Sequence, residues 1–144
     1  MSRNRKIFIE ADEMRTFVGD RENDIWIWLA VERRTKLIVG YHVGKRDNAG
    51  AAALRDSLSE DCKKNGIFFT DGLAAYSSVF PAERHRIVSK GSGKTSHIER
   101  LSLTFRQRLS ALVRKTISFS RSIENLTASV WWFLQDYNNN LLFN

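Results

Sequence analysis

Three acidic residues stand at or near the ends of apolar segments in this 144-residue chain, where the strands of a sheet end. Asp12 lies in KIFIEADEM, Asp71 follows the apolar run IFFT, and Glu99 opens the segment ERLSL. Carboxylate oxygens are the ligands that hard divalent cations such as Mg²⁺ prefer. Two such ions about 3.5–4 Å apart can activate a water or a hydroxyl and stabilise the leaving oxygen in phosphoryl transfer. The three residues therefore form a candidate metal site.

Each of the three carboxylates also has an ordinary structural interpretation. Asp71 precedes a glycine and could be a turn residue. Glu99 could complement a helix dipole, and Asp12 could face solvent. Glu13 and Glu10 are rivals of Asp12. Because neighbouring strand residues point to opposite faces, only one of Asp12 and Glu13 should reach a metal, whereas Glu10 shares the face of Asp12.

The stretch GSGKT at residues 91–95 has the tail of a phosphate-binding loop. That motif, G-x-x-x-x-G-K-[ST], requires a glycine at position 88, which is Val88. It should also follow the first strand of a parallel domain, whereas this stretch lies well into the second half of the chain. The sequence therefore predicts a flexible Gly/Ser connection at residues 89–96.

Apolar patterning predicts a chain of alternating strands and helices. Strands are expected at residues 6–14, 24–32, 36–43, 67–71 and 85–90. Helices are expected at residues 49–61 after a cap at Asn48, at 73–80, at 96–113 with the apolar stripe Leu101, Phe105, Leu109 and Leu112, and after Ser122 with the stripe Ile123, Leu126, Val130 and Phe133. The adjacent Trp131 and Trp132 cannot both face a core squarely.

The order β-β-β-α-β-α-β-α-α predicts the α/β class. It is the order of a ribonuclease H-like fold, a mixed five-stranded sheet flanked by helices, whose first three strands are antiparallel. The length suits a single domain over residues 1–144. In such a sheet the first strand, the fourth strand and a later helix converge, so Asp12, Asp71 and Glu99 would meet.

Basic residues exceed acidic ones and give a formal net charge of +7. Much of the excess lies at residues 100–121, where no acidic residue interrupts Arg100, Arg106, Arg108, Arg114, Lys115 and Arg121. A solvated helix face is one interpretation, but without acids the stretch cannot form internal i,i+4 ion pairs. A polyanionic partner, most simply nucleic acid, is the other and is favoured.

The sequence excludes a membrane-spanning or secreted protein, and it excludes a protein held together by disulfides or by a Cys-rich zinc site. The longest apolar run is far shorter than a membrane span, and Glu10 interrupts any signal-peptide core, so a cytoplasmic protein with no membrane partner is expected. The single cysteine, Cys62, excludes an internal disulfide and a Cys-rich zinc site.

Four segments together resemble the DDE transposases of the insertion-sequence-1 family. They are DEMRTFVG at 12–19, WIWLAVERRTKLIVGYHVGKR at 26–46, FTDGLAAY at 69–76 and HIERLSLTFRQRLSALVRKTISFSRSIEN at 97–125. The resemblance implies that Asp12, Asp71 and Glu99 hold Mg²⁺ or Mn²⁺, as two ions. It implies an enzyme of DNA transposition, in which water cleaves the element end and the freed 3′-hydroxyl attacks target DNA.

The resemblance also implies residues that contact DNA. Many DDE enzymes carry a basic residue seven positions after the glutamate, which here is Arg106. It shares a helix face with Glu99 and could hold a phosphate beside the metals. Further candidates for DNA contact are Arg100, Arg108, Arg114, Lys115 and His97.

Transposases of this family recognise element ends with an N-terminal zinc-finger and helix-turn-helix region. Few residues precede the first strand here and no Cys/His cluster is present, so the catalytic half alone is expected. The recognition module would be supplied by frameshift fusion, and the protein would act on DNA as a homo-oligomer. Two alternatives stay open: another ribonuclease H-like nuclease, and a non-catalytic DNA-binding or regulatory fragment of a transposase.

Overall fold

A computed structural model describes residues 6–17, 24–89, 96–101, 103, 104, 107 and 123–143. The strands are β1 (Ile7–Phe17), β2 (Asp24–Glu32), β3 (Ile38–Gly44), β4 (Gly66–Thr70) and β5 (His85–Ile87). The helices are α1 (Asn48–Asp56), α2 (Glu60–Asn65), α3 (Ala74–Ser77), α4 (residues 96–101, with 103, 104 and 107 also helical) and α5 (Ile123–Phe143). A single 3₁₀ turn, Ala82–Arg84, precedes β5.

The five strands form one mixed sheet in the order β3-β2-β1-β4-β5. β1 pairs antiparallel with β2, and β2 pairs antiparallel with β3. β4 pairs parallel with β1, and β5 pairs parallel with β4. The predicted α/β class and the mixed five-stranded sheet with three antiparallel strands first are therefore confirmed.

Alternate residues of the central strands enter two separate cores. On one face, Met14 of β1 and Ile27 of β2 pack with residues of α4 and α5. On the opposite face, Ile9 of β1 and Trp28 of β2 pack with α1, α2 and α3. Because both of its faces are covered, β2 reads in the sequence as a continuous apolar run.

Several element bounds differ from the sequence-based expectation; β5, for example, ends at Ile87 rather than at residue 90. The single helix expected at residues 49–61 is two helices, because Ser59 is extended and its side chain caps α2 by accepting from the N–H of Cys62. The cap of α1 is Asp47 rather than Asn48, and its carboxylate accepts from the N–H of Gly50 at 2.8 Å. β1 continues to Phe17 because it stays paired with β2 over that length.

α5 follows its predicted apolar stripe where its side chains are described. Val130 and Phe133 are buried, whereas Trp131 and Trp132 are 51% and 58% exposed. No described helix is long and apolar enough to cross a membrane. Other predicted positions lie outside the described residues or side chains: Ser122, the side chains of Ile123 and Leu126, and, in α4, Phe105, Leu109 and Leu112.

Candidate metal site

Strand register brings two of the predicted carboxylates together. β1 and β4 pair in parallel from Ile7 with Gly66 to Glu10 with Phe69. The same register, continued two residues beyond that last pair, sets Asp71 beside Asp12. Asp12, Glu13 and Asp71 each offer a carboxylate oxygen, and these oxygens lie within 4.8 Å of one another. The site therefore lies where β4 ends and β1 continues.

The chain has an unusual backbone conformation just after β4. Gly72 has φ of +98°, in the left-handed region that favours glycine. A Cβ at this position would also lie 2.9 Å from Cγ2 of Ile87. Asp71 therefore precedes a glycine whose backbone conformation few other residues adopt, and its side chain belongs to the carboxylate cluster.

Glu13 joins the cluster, although strand alternation predicted that only one of Asp12 and Glu13 would reach it. Within the described chain, β1 pairs with β4 only as far as Glu10, so this edge of β1 has no strand beside it farther along. We attribute the convergence to that open edge, where carboxylates from both faces of a strand can meet. The alternation rule is too simple at this position.

The carboxylate of Glu13 accepts hydrogen bonds on both of its oxygens. Its Oε1 accepts from the hydroxyl of Tyr76 at 2.9 Å. Its Oε2 accepts from Nη2 of Arg46 at 2.9 Å and from Nε at 3.1 Å. The guanidinium of Arg46 lies over the ring of Trp26, 4.6 Å from its centroid, and this packing supports its orientation.

The pKa of Tyr76 is affected by all three carboxylates of the cluster. Burial and then the negative charges of Glu13, Asp12 and Asp71 raise the pKa of Tyr76 well above its ordinary value. The phenol therefore stays protonated at neutral pH and remains a hydrogen-bond donor. Sequence reasoning missed both Tyr76 and Arg46, because no local spacing connects either residue to Glu13.

Glu10 is directed to α4 instead of the cluster. It is completely buried, and its Oε1 accepts from the backbone N–H groups of His97 at 3.0 Å and Ile98 at 3.3 Å. Its Oε2 accepts from Nε of Arg33 at 3.2 Å. Glu10 is therefore not part of the three-carboxylate cluster; it caps the helix that carries Glu99.

Glu99 lies in the first turn of α4 and is partly buried. It is not among the three residues whose oxygens lie within 4.8 Å of one another. Its helix nevertheless begins against β1, because the N–H of His97 bonds to Glu10, two residues before Asp12. The structure thus brings Asp12 and Asp71 together and leaves Glu99 on a neighbouring element.

A second feature lies on the same face of the sheet, between α4, α5 and the β2–β3 turn. His97, Arg100 and Thr104 of α4 line a cavity of about 90 Å³ with Lys36 and Tyr137. The described lining contains no acidic residue. Of the other basic residues predicted to contact DNA, Arg106, Arg108, Arg114 and Lys115 lie outside the described residues.

The fold and the site together define a class: an α/β domain whose mixed sheet holds an acidic, oxygen-only site at the end of a central strand. Residues 6–138 match the family described as IS1 transposase. The chain belongs to the IS1 transposase family, as its sequence resemblance indicated. Membership implies transposition and DNA binding, in a family that typically depends on divalent metal ions.

Individual relatives support the same assignment. The chain is 33% identical over 118 residues to insertion element iso-IS1n protein InsB of Shigella dysenteriae, covering 82% of this chain and 86% of that protein. It is 36% identical over 115 residues to insertion element IS1 4 protein InsB of Escherichia coli (strain K12), covering 80% of this chain. The matched part spans 66% of that relative.

Proposed function

We propose that this chain is the catalytic domain of a DDE transposase with a ribonuclease H-like fold. It would cleave DNA at the ends of an insertion element and join the freed 3′-hydroxyl to target DNA. The observation that carries the proposal is the meeting of Asp12 and Asp71, from adjacent parallel strands, in one carboxylate cluster. The strand order of the mixed sheet supports the fold assignment.

The cluster fits divalent metal ions. It offers only carboxylate oxygens, which are the donors that Mg²⁺ and Mn²⁺ take in proteins. In this proposal Asp12 and Asp71 hold two ions, and Glu99 supplies a third carboxylate from α4. When bound, the ions would neutralise charge on the phosphate and activate the attacking oxygen.

Glu13 has a different role in this proposal. Its charge is already balanced by Arg46, and the Tyr76 hydroxyl donates to its other oxygen. A carboxylate held in this way is a weaker ligand for a cation than the same carboxylate would be without its guanidinium partner. Glu13 is therefore a positioning residue: its backbone N–H donates to Oδ1 of Asp12 at 2.9 Å, and its side chain holds Arg46 beside the cluster.

DNA phosphates would bind in and around the basic cavity between α4 and the β2–β3 turn. Lys36 and Arg100 are exposed, and His97 and Tyr137 offer further polar atoms at the same place. These are contacts that position a DNA backbone without reading its sequence. Arg106, Arg108, Arg114 and Lys115, which lie outside the described residues, stay candidates for DNA contact.

The wider assembly stays a prediction. It comprises a homo-oligomer on DNA and an N-terminal recognition module supplied by frameshift fusion. The exposed indoles of Trp131 and Trp132 favour the first part, because large apolar side chains on a surface often mark contacts between chains.

The direct test of the proposal is cleavage and joining of labelled duplexes that carry the ends of the encoding element, with Mg²⁺ or Mn²⁺. We expect metal-dependent products from the wild type and a loss of about 100-fold or more in Asp12→Asn and in Asp71→Asn. Asp56→Asn, which changes an exposed carboxylate of α1, is the matched control and should retain activity.

The products distinguish the alternatives. Joined products identify a transposase, whereas cleavage without joining identifies another ribonuclease H-like nuclease. Binding of Mn²⁺, followed by the loss of its free-ion electron paramagnetic resonance signal, tests the site without requiring activity. Wild-type binding in an Asp12→Asn, Asp71→Asn double variant would contradict the assignment, and a chain that binds DNA but no metal would be a regulatory fragment.

A further inference from the structure

Glu10 is a fully buried acid whose partners are all supplied by other elements. It is 0% exposed, and each oxygen accepts from a donor of α4 or of the β2–β3 turn. An ionised carboxylate is costly to bury unless it is paired and hydrogen-bonded, and removing its partners is strongly destabilising. Glu10 has such partners, so its burial ties the elements that supply them, the start of α4 and the β2–β3 turn, to β1.

The Glu10 contact fastens the start of α4 to β1. The first N–H groups of a helix have no partner within the helix, and a nearby residue usually caps them. Here the acceptor is 87 residues away from His97 in the chain. The position of this helix is therefore tied to the central strand of the sheet.

Arg33 donates to the second oxygen of the Glu10 carboxylate, the one that α4 does not use. Its guanidinium lies 4.0 Å from the centroid of the Phe69 ring, and its own N–H bonds to the carbonyl of Phe8 at 2.8 Å. The counterion of Glu10 is thus fixed by β4 and β1. The carboxylate has little freedom to turn away from α4.

Two proposed metal ligands, Asp12 and Glu99, are each two residues along the chain from a residue of the Glu10–His97 hydrogen bond. Asp12 follows Glu10 by two residues on the same face of β1, a distance of about 6.6 Å along a strand. Glu99 follows His97 by two residues in the first turn of α4. We propose that Glu10 is a positioning residue that sets where Glu99 stands relative to Asp12, an inference that rests on the proposed metal function.

The test compares Mn²⁺ binding by the full chain in a set of variants. Glu10→Ala removes the acceptor, and Glu10→Gln keeps its size and one acceptor oxygen. Glu32→Gln is the matched control, because Glu32 is also a buried acid but accepts from Thr35 in the β2–β3 turn. Thermal unfolding without metal shows which variants have equal stability.

We expect Glu10→Ala to raise the Mn²⁺ dissociation constant by about 10-fold or more, since partners that orient ligands typically contribute on that scale. Glu10→Gln should fall between Glu10→Ala and the wild type. Glu32→Gln should bind Mn²⁺ like the wild type even if it melts at a lower temperature. If Glu10→Ala does not fold, Glu10→Gln alone decides, with an expected increase of at least about 3-fold.

A double-mutant cycle separates positioning from general stability. If Glu10 acts through Glu99, then Glu10→Gln should change Mn²⁺ binding less than about 2-fold in a Glu99→Gln background. Additive effects in the cycle, or Glu10 variants that bind Mn²⁺ as Glu32→Gln does, would overturn the inference.

The Asp71→Asn variant distinguishes failure of the proposed metal site from failure of the inference about Glu10 alone. If it binds Mn²⁺ like the wild type, the proposed metal site fails and the role of Glu10 fails with it. If it loses Mn²⁺ while the Glu10 variants keep it, only the inference about Glu10 fails.

Discussion

The three carboxylates of β1, those of Glu10, Asp12 and Glu13, have the same chemistry but different partners. Those partners set their roles. Glu10 accepts from backbone N–H groups of α4. Glu13 accepts from Arg46 and Tyr76. Asp12 meets Asp71 across the end of β4. Glu10 and Glu13 hold neighbouring elements in place through these bonds, whereas Asp12 lies with Asp71 in the cluster that fits a cation.

At the residue scale, Tyr76→Phe tests the support of Glu13. The change removes one hydrogen bond to a buried charge and keeps the ring that packs against Trp28. We expect a loss of about 1.5–3 kcal/mol in the free energy of unfolding, measured with urea. Tyr41→Phe, at a partly buried tyrosine of the other core, is the control and should cost less. Equal losses would contradict the assignment.

His85 is expected to contribute to acid destabilisation. Burial lowers the pKa of His85, whose Nε2 lies 2.7 Å from Oγ1 of Thr70. The folded state then binds fewer protons than the unfolded state near pH 6.5, so stability rises with pH there. The contribution of neutral His85 to the free energy of unfolding is fully present above about pH 6.5, the unfolded-state pKa. It is lost as the pH falls toward the lower pKa of His85 in the folded state. Melting curves of wild type and His85→Gln between pH 7.5 and pH 5 should converge as the pH falls; parallel curves would contradict this.

At the scale of elements, side chains bonded to backbone join the helices to the sheet. Glu10 holds α4 on β1. Asn138 of α5 holds β3, because its Oδ1 accepts from the N–H of Ile38 at 2.9 Å and its Nδ2 donates to the carbonyl of Ile38 at 2.9 Å. β3 is an edge strand, so this pair of bonds also satisfies backbone groups of an exposed edge.

Asn138→Ala should therefore destabilise the domain by about 1–3 kcal/mol, because it leaves the N–H and carbonyl of a buried residue without these bonds. Urea unfolding measures the loss. The exposed Asn139 offers a neighbouring control, and Asn139→Ala should change the stability by less than about 0.5 kcal/mol. Similar losses of stability in the two variants would show that the two hydrogen bonds between Asn138 and the Ile38 backbone contribute little.

At the scale of the whole molecule, the net charge of +7 suits a polyanionic partner, and family membership makes that partner DNA. The basic cavity near α4 is one described place where this charge is concentrated. Contacts of this kind release counterions, so the affinity should fall steeply with salt.

Arg100→Ala and Lys36→Ala should each weaken duplex binding and reduce the slope of log affinity against log salt by about 0.9. Arg55→Ala is the matched control, because Arg55 lies on α1, on the other face of the sheet, and pairs with Asp56. Fluorescence anisotropy across a salt series measures the slopes. An unchanged slope in both cavity variants would remove the cavity from the DNA-binding surface.

The sequence by itself determined the order of strands and helices along the chain, the mixed sheet and the family, and it predicted that Asp12 and Asp71 would meet. The order of elements depends on local signals, apolar period and turn residues, and the family depends on the order of the motifs. The meeting of Asp12 with Asp71 was inferred from the fold that this order indicates. Only the tertiary structure decided that Glu13 joins the cluster, that Glu10 caps α4, and that Arg46 and Tyr76 support the site. These contacts join residues 33, 63 and 87 positions apart, so they depend on strand register and helix placement, which no local pattern encodes.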